Sequence, residues 1–252
     1  MGFALKNQVF LLCVMVLLLA VRCYSEDTFT RSRATYYGSP DCYGTPKSKK
    51  LTIANQTVRR ILANHVIIEL IIYMNGTGCG ACYQLRCTTP QYCADEGVNI
   101  VVTDYGEGDK TDFILSSRAY AKLARPNVVL QLFSYGVVDI EYRRISCKYS
   151  GYNLMFKVHE SNYPRYLAIV LLYVAGQNDI TAVEFWQEDC QQWRAMRRAY
   201  GAVWDLASPP SGPIKLRFQV SGSSGIKWFE SKNALPSDWK AGAAYDSYIQ
   251  LT

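Results

Sequence analysis

The chain opens with an unbroken apolar run, then changes to short alternations of apolar and polar residues that carry to its end. The run, residues 9–21 (VFLLCVMVLLLAV), follows Lys6, and Cys23 and Ser25 stand at the −3 and −1 places of a cleavage site. It falls short of the ~20 residues that a spanning helix needs, so residues 1–25 read as a secretion signal that is removed. Residues 99–104 (NIVVTD) and 136–145 (GVVDIEYRRI) predict strands, the first running into a Gly-rich loop at 105–108. Ser116 or Ser117 predicts the N-cap of a short helix over 118–124, stopped before Pro126. After Cys147 the runs 152–159, 166–174, 180–187, 214–221 and 226–231 are rich in β-branched and aromatic residues. Turn-forming residues at 176–179, 208–212 and 221–225 separate them. Short strands at this spacing predict a β-sandwich. A boundary falls near residues 148–151, giving a first domain over 26–148 and a second over 149–252, with no long linker.

Composition narrows the functional classes. The formal charge is +6, but Lys6 and Arg22 of the signal supply +2 and residues 44–72 supply +4, leaving the rest of the chain balanced. That distribution gives no footprint for nucleic acid. The unusual feature is 19 Tyr and 5 Trp, side chains whose flat apolar faces and polar tips suit sugar rings.

Beyond the signal lie Cys42, Cys79, Cys82, Cys87, Cys93, Cys147 and Cys190, an odd number. In an exported chain thiols oxidise, and disulfides are the expected outcome. The lone Cys79/Cys82 pair lacks the second CxxC that a zinc ribbon needs, and His65 and His159 are far apart in sequence, so no metal and no cofactor are expected.

Several motifs together are specific. Residues 34–38 (ATYYG), 78–87 (GCGACYQLRC), 101–104 (VVTD) and 141–147 (EYRRISC) resemble the first domain of plant expansins. Residues 196–204 (MRRAYGAVW) and 236–239 (PSDW) resemble their second domain, and 101–113 with 205–213 are most similar to the expansin-like B subfamily. The resemblance implies an all-β protein: a double-psi β-barrel of the RlpA/GH45-like kind, then an immunoglobulin-like carbohydrate-binding sandwich. It also implies a secreted, monomeric wall protein that loosens walls without hydrolysis by binding cellulose, xyloglucan or other matrix glycans. Once the signal is cleaved no membrane association is expected.

An inverting glycosidase needs a carboxylic acid and a carboxylate base. The resemblance puts Asp104 in the groove, but Ile114 stands where related cellulases carry their general acid, and isoleucine has no proton to give. Asp112 lies two residues before it, on the same side of an extended segment; its alternative is a loop aspartate. Thr35 and Tyr36, in the opposite wall by resemblance, supply no base. Hydrolysis is therefore not expected. The alternatives are glycan binding without loosening, and a residual endoglucanase-like activity.

In the second domain Trp193, Tyr200 and Trp204 align with aromatics of the family's glycan-binding face, and Tyr166 falls near another; Trp186 and Trp239 read as core. Residues 47–74 depart from the family pattern, with a Lys-rich start, an Ile-rich end and no Cys or Gly. They predict a barrel disrupted there, as an altered splice or gene model would produce; a basic surface for acidic pectin is the functional alternative. The family's disulfides would join Cys82 to Cys147 and Cys87 to Cys93. Cys79 would lose its usual partner, with Cys42 as a substitute and Cys190 left over. Asn55 and Asn75 head N-glycosylation sequons.

Overall fold

In the computed structural model the described residues are 28–37, 65–68, 78–105 and 111–252. The expected signal over 1–25, Cys42, Asn55 and Asn75 lie outside them, as does most of the 47–74 segment. Six strands close a barrel in the order β1-β5-β2-β4-β3-β6, namely β1 (Thr30–Tyr37), β2 (His65–Ile68), β3 (Cys82–Cys87), β4 (Val98–Tyr105), β5 (Phe113–Ser116) and β6 (Val138–Ile145). Of the 47–74 segment, only residues 65–68 are described. The Ile-rich end of the divergent segment supplies β2, which pairs parallel with β4 and antiparallel with β5. Backbone hydrogen bonding asks only for an extended β-branched run there, and HVII meets that need.

The barrel interior is filled by Leu85, Val98, Ile100, Val102, Phe113, Leu115 and Ile140, all nearly inaccessible. Alternation along β3 puts Tyr83, Leu85 and Cys87 inward. Helix α1 (Ser117–Ala121) starts where Ser116 Oγ accepts from the Ala119 N–H, the cap anticipated from sequence. A second helix, α2 (Val129–Tyr135), was not foreseen. It ends at Gly136, whose φ of 81° suits glycine at a helix terminus.

Nine further strands form two sheets, one of four strands and one of five. They are β7 (Met155–Asn162), β8 (Tyr166–Leu172), β9 (Asp179–Gln187), β10 (Gln192–Ala195), β11 (Arg197–Tyr200), β12 (Val203–Ala207), β13 (Ile214–Gly222), β14 (Gly225–Leu235) and β15 (Ala244–Asp246). The four-stranded order is β10-β9-β13-β14 and the five-stranded order β11-β12-β8-β7-β15. Inward residues of both interdigitate: Val183, Phe185, Leu216 and Phe218 from one, Phe156, Val158, Leu167 and Ile169 from the other.

The two lobes meet through three kinds of tie. Cys82 on β3 is disulfide-bonded to Cys147 at the start of the connection, and Cys147 exchanges backbone hydrogen bonds with Gly176. Arg144 on β6 makes a two-pronged pair with Asp179 on β9, at 3.0 and 2.7 Å. Apolar packing joins Val101 of β4 to Val170, Leu172 and Val203 of the five-stranded sheet and to Tyr173 just after β8. Part of the outer face of that sheet is thereby held against the barrel, while Tyr166 and Tyr200 on it stay partly exposed.

Candidate functional site

Barrel register brings together residues far apart in sequence. Thr35 pairs with Ile114, Ile114 with Ile67, and Ile67 with Asp104, so the four form one cross-strand row over β1, β5, β2 and β4. A bulge between Val66 and Ile67 lets Asp104 join it. Phe113 and Leu115 point into the core, and Ile114, between them in sequence, is 9% exposed. Ile114 stands two strands from Asp104 in this row, at the far side of Ile67.

The remaining barrel candidates are bound into the fold. Thr35 Oγ1 donates to the Gly136 carbonyl at 3.2 Å, and Tyr36 Oη donates to the Phe133 carbonyl at 3.1 Å. Tyr120 Oη also reaches the Leu132 and Gly136 carbonyls. The Phe133 and Gly136 carbonyls, at the C-terminal end of α2, thereby gain side-chain donors. Tyr36 packs its ring on Phe133 and Tyr120, with centroids 4.6 and 4.8 Å away. It is partly buried and packed against the barrel core. Asp112 accepts from Ser32 Oγ at 2.5 Å. It also lies near Tyr142, whose hydroxyl pKa is raised first by burial and then by the Asp112 charge.

On the sandwich, Tyr166 and Tyr200 share the outer face of the five-stranded sheet, packed beside Ala168, Val170 and Val203. Each hydroxyl is tied down. Tyr166 Oη donates to Asp205 Oδ2 at 3.2 Å, and Asp205 takes two further bonds from Arg197, at 2.9 and 2.6 Å. Hydrogen bonding to Arg197 holds the Asp205 carboxyl below its ordinary range. Burial, reinforced by Asp205, pushes the Tyr166 hydroxyl up to about 12, so it remains a donor at any physiological pH. Tyr200 Oη lies 3.0 Å from His159 Nε2. Burial and the neighbouring Lys157 lower the His159 pKa, keeping the ring neutral near pH 7.

The rings expected to share one face do not. Trp204 is 5% exposed and belongs to the core between the sheets, which corrects its expected place on the binding surface. The cause is local: β11 and β12 fold back at Gly201, so Tyr200 pairs with Val203 on the outer face while Trp204 pairs with Arg198 and Ile169. The Arg198 guanidinium covers the Trp204 ring at 4.2 Å. Trp193 sits on the other sheet, beside Trp186, with ring centroids 5.4 Å apart. Trp186 is half-buried rather than core, because Val183 and Phe185 take the inward positions of β9. Trp239 packs against the core as expected. Trp228, 43% exposed on β14, was missed; its alternation with the inward Phe229 was the available signal.

Cys87 is joined to Cys93, and Cys79 is half-buried against the barrel core. Cys190 presents an exposed free thiol. Among the described residues no helix is long and apolar enough to cross a membrane.

Comparisons with known proteins place this architecture. A family model described as the Expansin C-terminal domain matches residues 154–236, and one described as Lytic transglycolase matches 69–142. The crystal structure of apo Clavibacter michiganensis expansin superposes with a TM-score of 0.61 at 18% identity, covering 88% of this chain and 98% of that one. A mutant of that expansin in complex with cellohexaose gives 0.62 over the same shares. A double-psi barrel followed by a β-sandwich is therefore the fold class. Expansin-like B1 of Arabidopsis thaliana is 55% identical over 241 residues, covering 94% of this chain and 95% of the relative. Expansin-like B1 of Oryza sativa subsp. japonica is 41% identical, covering 90% of each. The chain belongs to the plant expansin family, within its expansin-like B group.

Proposed function

We propose that this chain is a secreted wall protein that grips β-linked glycans, cellulose or a matrix glycan such as xyloglucan, without cutting them. The observation that carries the reading is that Ile114 and Asp104 stand in one barrel row, two strands apart with Ile67 between them. A displacement that needs an acid and a base finds at most one carboxylate at those two positions. Binding falls to Tyr166 and Tyr200, whose hydroxyls are fixed by Asp205 and His159 and whose rings are held beside the barrel. If each ring covers roughly 60 Å² of sugar, two contribute about 3 kcal/mol at 25 cal/mol per Å². Alone that is a weak site, but repeated places on a polymer raise the effective concentration. The solved expansin with cellohexaose supports this ligand class. Wall loosening in place of simple binding is the family's expected consequence, with the lobe ties transmitting force between the gripped surfaces.

Depletion from solution by insoluble cellulose tests the binding half. A Tyr166→Ala/Tyr200→Ala protein should bind about 100-fold more weakly, as 3 kcal/mol implies. Unchanged retention would refute the assigned face. Creep of heat-inactivated walls under load tests loosening: extension with added protein is expected, and retention on the wall without creep would leave a binding protein alone.

A further inference from the structure

The outer face of the four-stranded sheet carries three indoles that the reading above does not use. Trp193 on β10 and Trp186 on β9 are cross-strand partners. Trp228 on β14 is 43% exposed, and Ile226, two residues earlier on the same strand, is 65% exposed. Between them on β13 the Arg217 guanidinium lies 4.6 Å from the Trp193 ring and 4.7 Å from the Trp228 ring. The core is filled without these indoles, by Val183, Phe185, Leu216 and Phe218 on the opposite parity of the same strands. Leaving them at the surface is thus not an overflow from packing. Clustered exposed apolar groups of this kind mark contact surfaces.

The charges around the rings say what the surface takes. Arg217 Nε donates to Glu184 at 2.6 Å, and Lys215 Nζ donates to Glu188 at 2.8 Å. Glu188 also accepts a hydrogen bond from the Trp186 side chain. Both cations stacked near the indoles are already matched to carboxylates, so they do not select an anion. An aromatic row with its charges internally paired suits a ligand with apolar ring faces and neutral hydroxyl edges. Strands about 4.8 Å apart put β10 and β14 about 14 Å from one another, room for a short run of pyranose rings.

We propose that this face is a second glycan-binding surface, which holds a neutral β-linked polysaccharide chain separate from the one on Tyr166 and Tyr200. The two surfaces are the outer faces of opposite sheets, with the core between them. A single sandwich would therefore bridge two polymers. This inference rests on the glycan-binding reading of the five-stranded face for its first polymer.

Bridging of cellulose nanocrystals, followed by light scattering alongside retention on the same crystals, tests it. Wild-type protein should clump the crystals. Trp186→Ala/Trp228→Ala protein should stay bound, about 10-fold more weakly, and lose clumping. A Trp228→Ala single variant, altered at an exposed site, should show a partial loss with its melting temperature unchanged. Clumping by Trp186→Ala/Trp228→Ala protein equal to wild type would overturn the proposal. Failure of the first reading has its own signature: Tyr166→Ala/Tyr200→Ala protein would be retained and clump as wild type does.

Discussion

Removing the Cys82–Cys147 disulfide should destabilise the chain about twice as much as removing Cys87–Cys93. The first bond closes a loop of sequence separation 65, the second one of 6. Loop-closure entropy lost by the unfolded chain then gives about 4 kcal/mol for the long loop and about 2 kcal/mol for the short one. Site makes the difference larger still. Cys82 lies on a central barrel strand and Cys147 begins the passage to the sandwich, so the long bond also clamps the seam where Val101 meets Val170 and Val203. Cys87–Cys93 ties the chain after β3 within the barrel core alone and does not reach the sandwich. The assay is equilibrium urea unfolding of Cys82→Ala/Cys147→Ala and Cys87→Ala/Cys93→Ala proteins, monitored by tryptophan fluorescence. With a slope of about 2 kcal/mol per M, the two midpoints should differ by about 1 M, the long-loop variant lower. Coincident midpoints, or a reversed order, would refute the claim that the long bond holds the lobes together.

Other perturbations test separate parts of the account. Asp205→Asn should cost about 2 kcal/mol at pH 7, the range for hydrogen bonds to a buried charged group. Because the folded Asp205 pKa is depressed, its stabilisation is present above the ordinary value of 3.8 and is lost as pH falls below it. Acid unfolding curves should thus lose that component in the Asn variant. His159, with its pKa lowered from 6.5, resists protonation in the folded state, so stability should fall as pH drops through and below 6.5. His159→Gln should flatten that part of the melting profile, and an unchanged slope would contradict the assignment. Trp204→Ala should lose about 3–5 kcal/mol by thermal unfolding, as expected of a core aromatic and not of a surface ring. Gly97→Ala should unfold the barrel at lower temperature, because a Cβ there would sit 2.1 Å from the Leu85 carbonyl oxygen at φ +68°.

Much of the fold was legible in the sequence wherever one face of a strand is buried. On β13 the order Ile214, Leu216, Phe218, Val220 against Lys215, Arg217, Gln219 is a plain period of two, and that strand lies where it was read. Helix α2 was not legible, since VLQLFSY carries β-type residues. It is helical because Leu132 packs into the barrel core and three hydroxyls meet its terminal carbonyls. Strand β2 was hidden by the unfamiliar segment around it, although its residues suit a strand. The site was harder. Tyr200 and Trp204 are four residues apart and would share a face on one strand; the turn at Gly201 places them on two. Trp186 was within reach of the same alternation rule, had Val183 and Phe185 been taken as the inward pair. The row that joins Thr35, Ile114, Ile67 and Asp104 depends on the pairing order of a closed barrel, which local pattern does not contain.

The most direct test is one NMR time course of the intact protein with cellohexaose. The account predicts shifts at the amides around Tyr166 and Tyr200 while the hexasaccharide signals stay unchanged over days. Appearance of shorter oligosaccharides, or an unmoved five-stranded face, would contradict it.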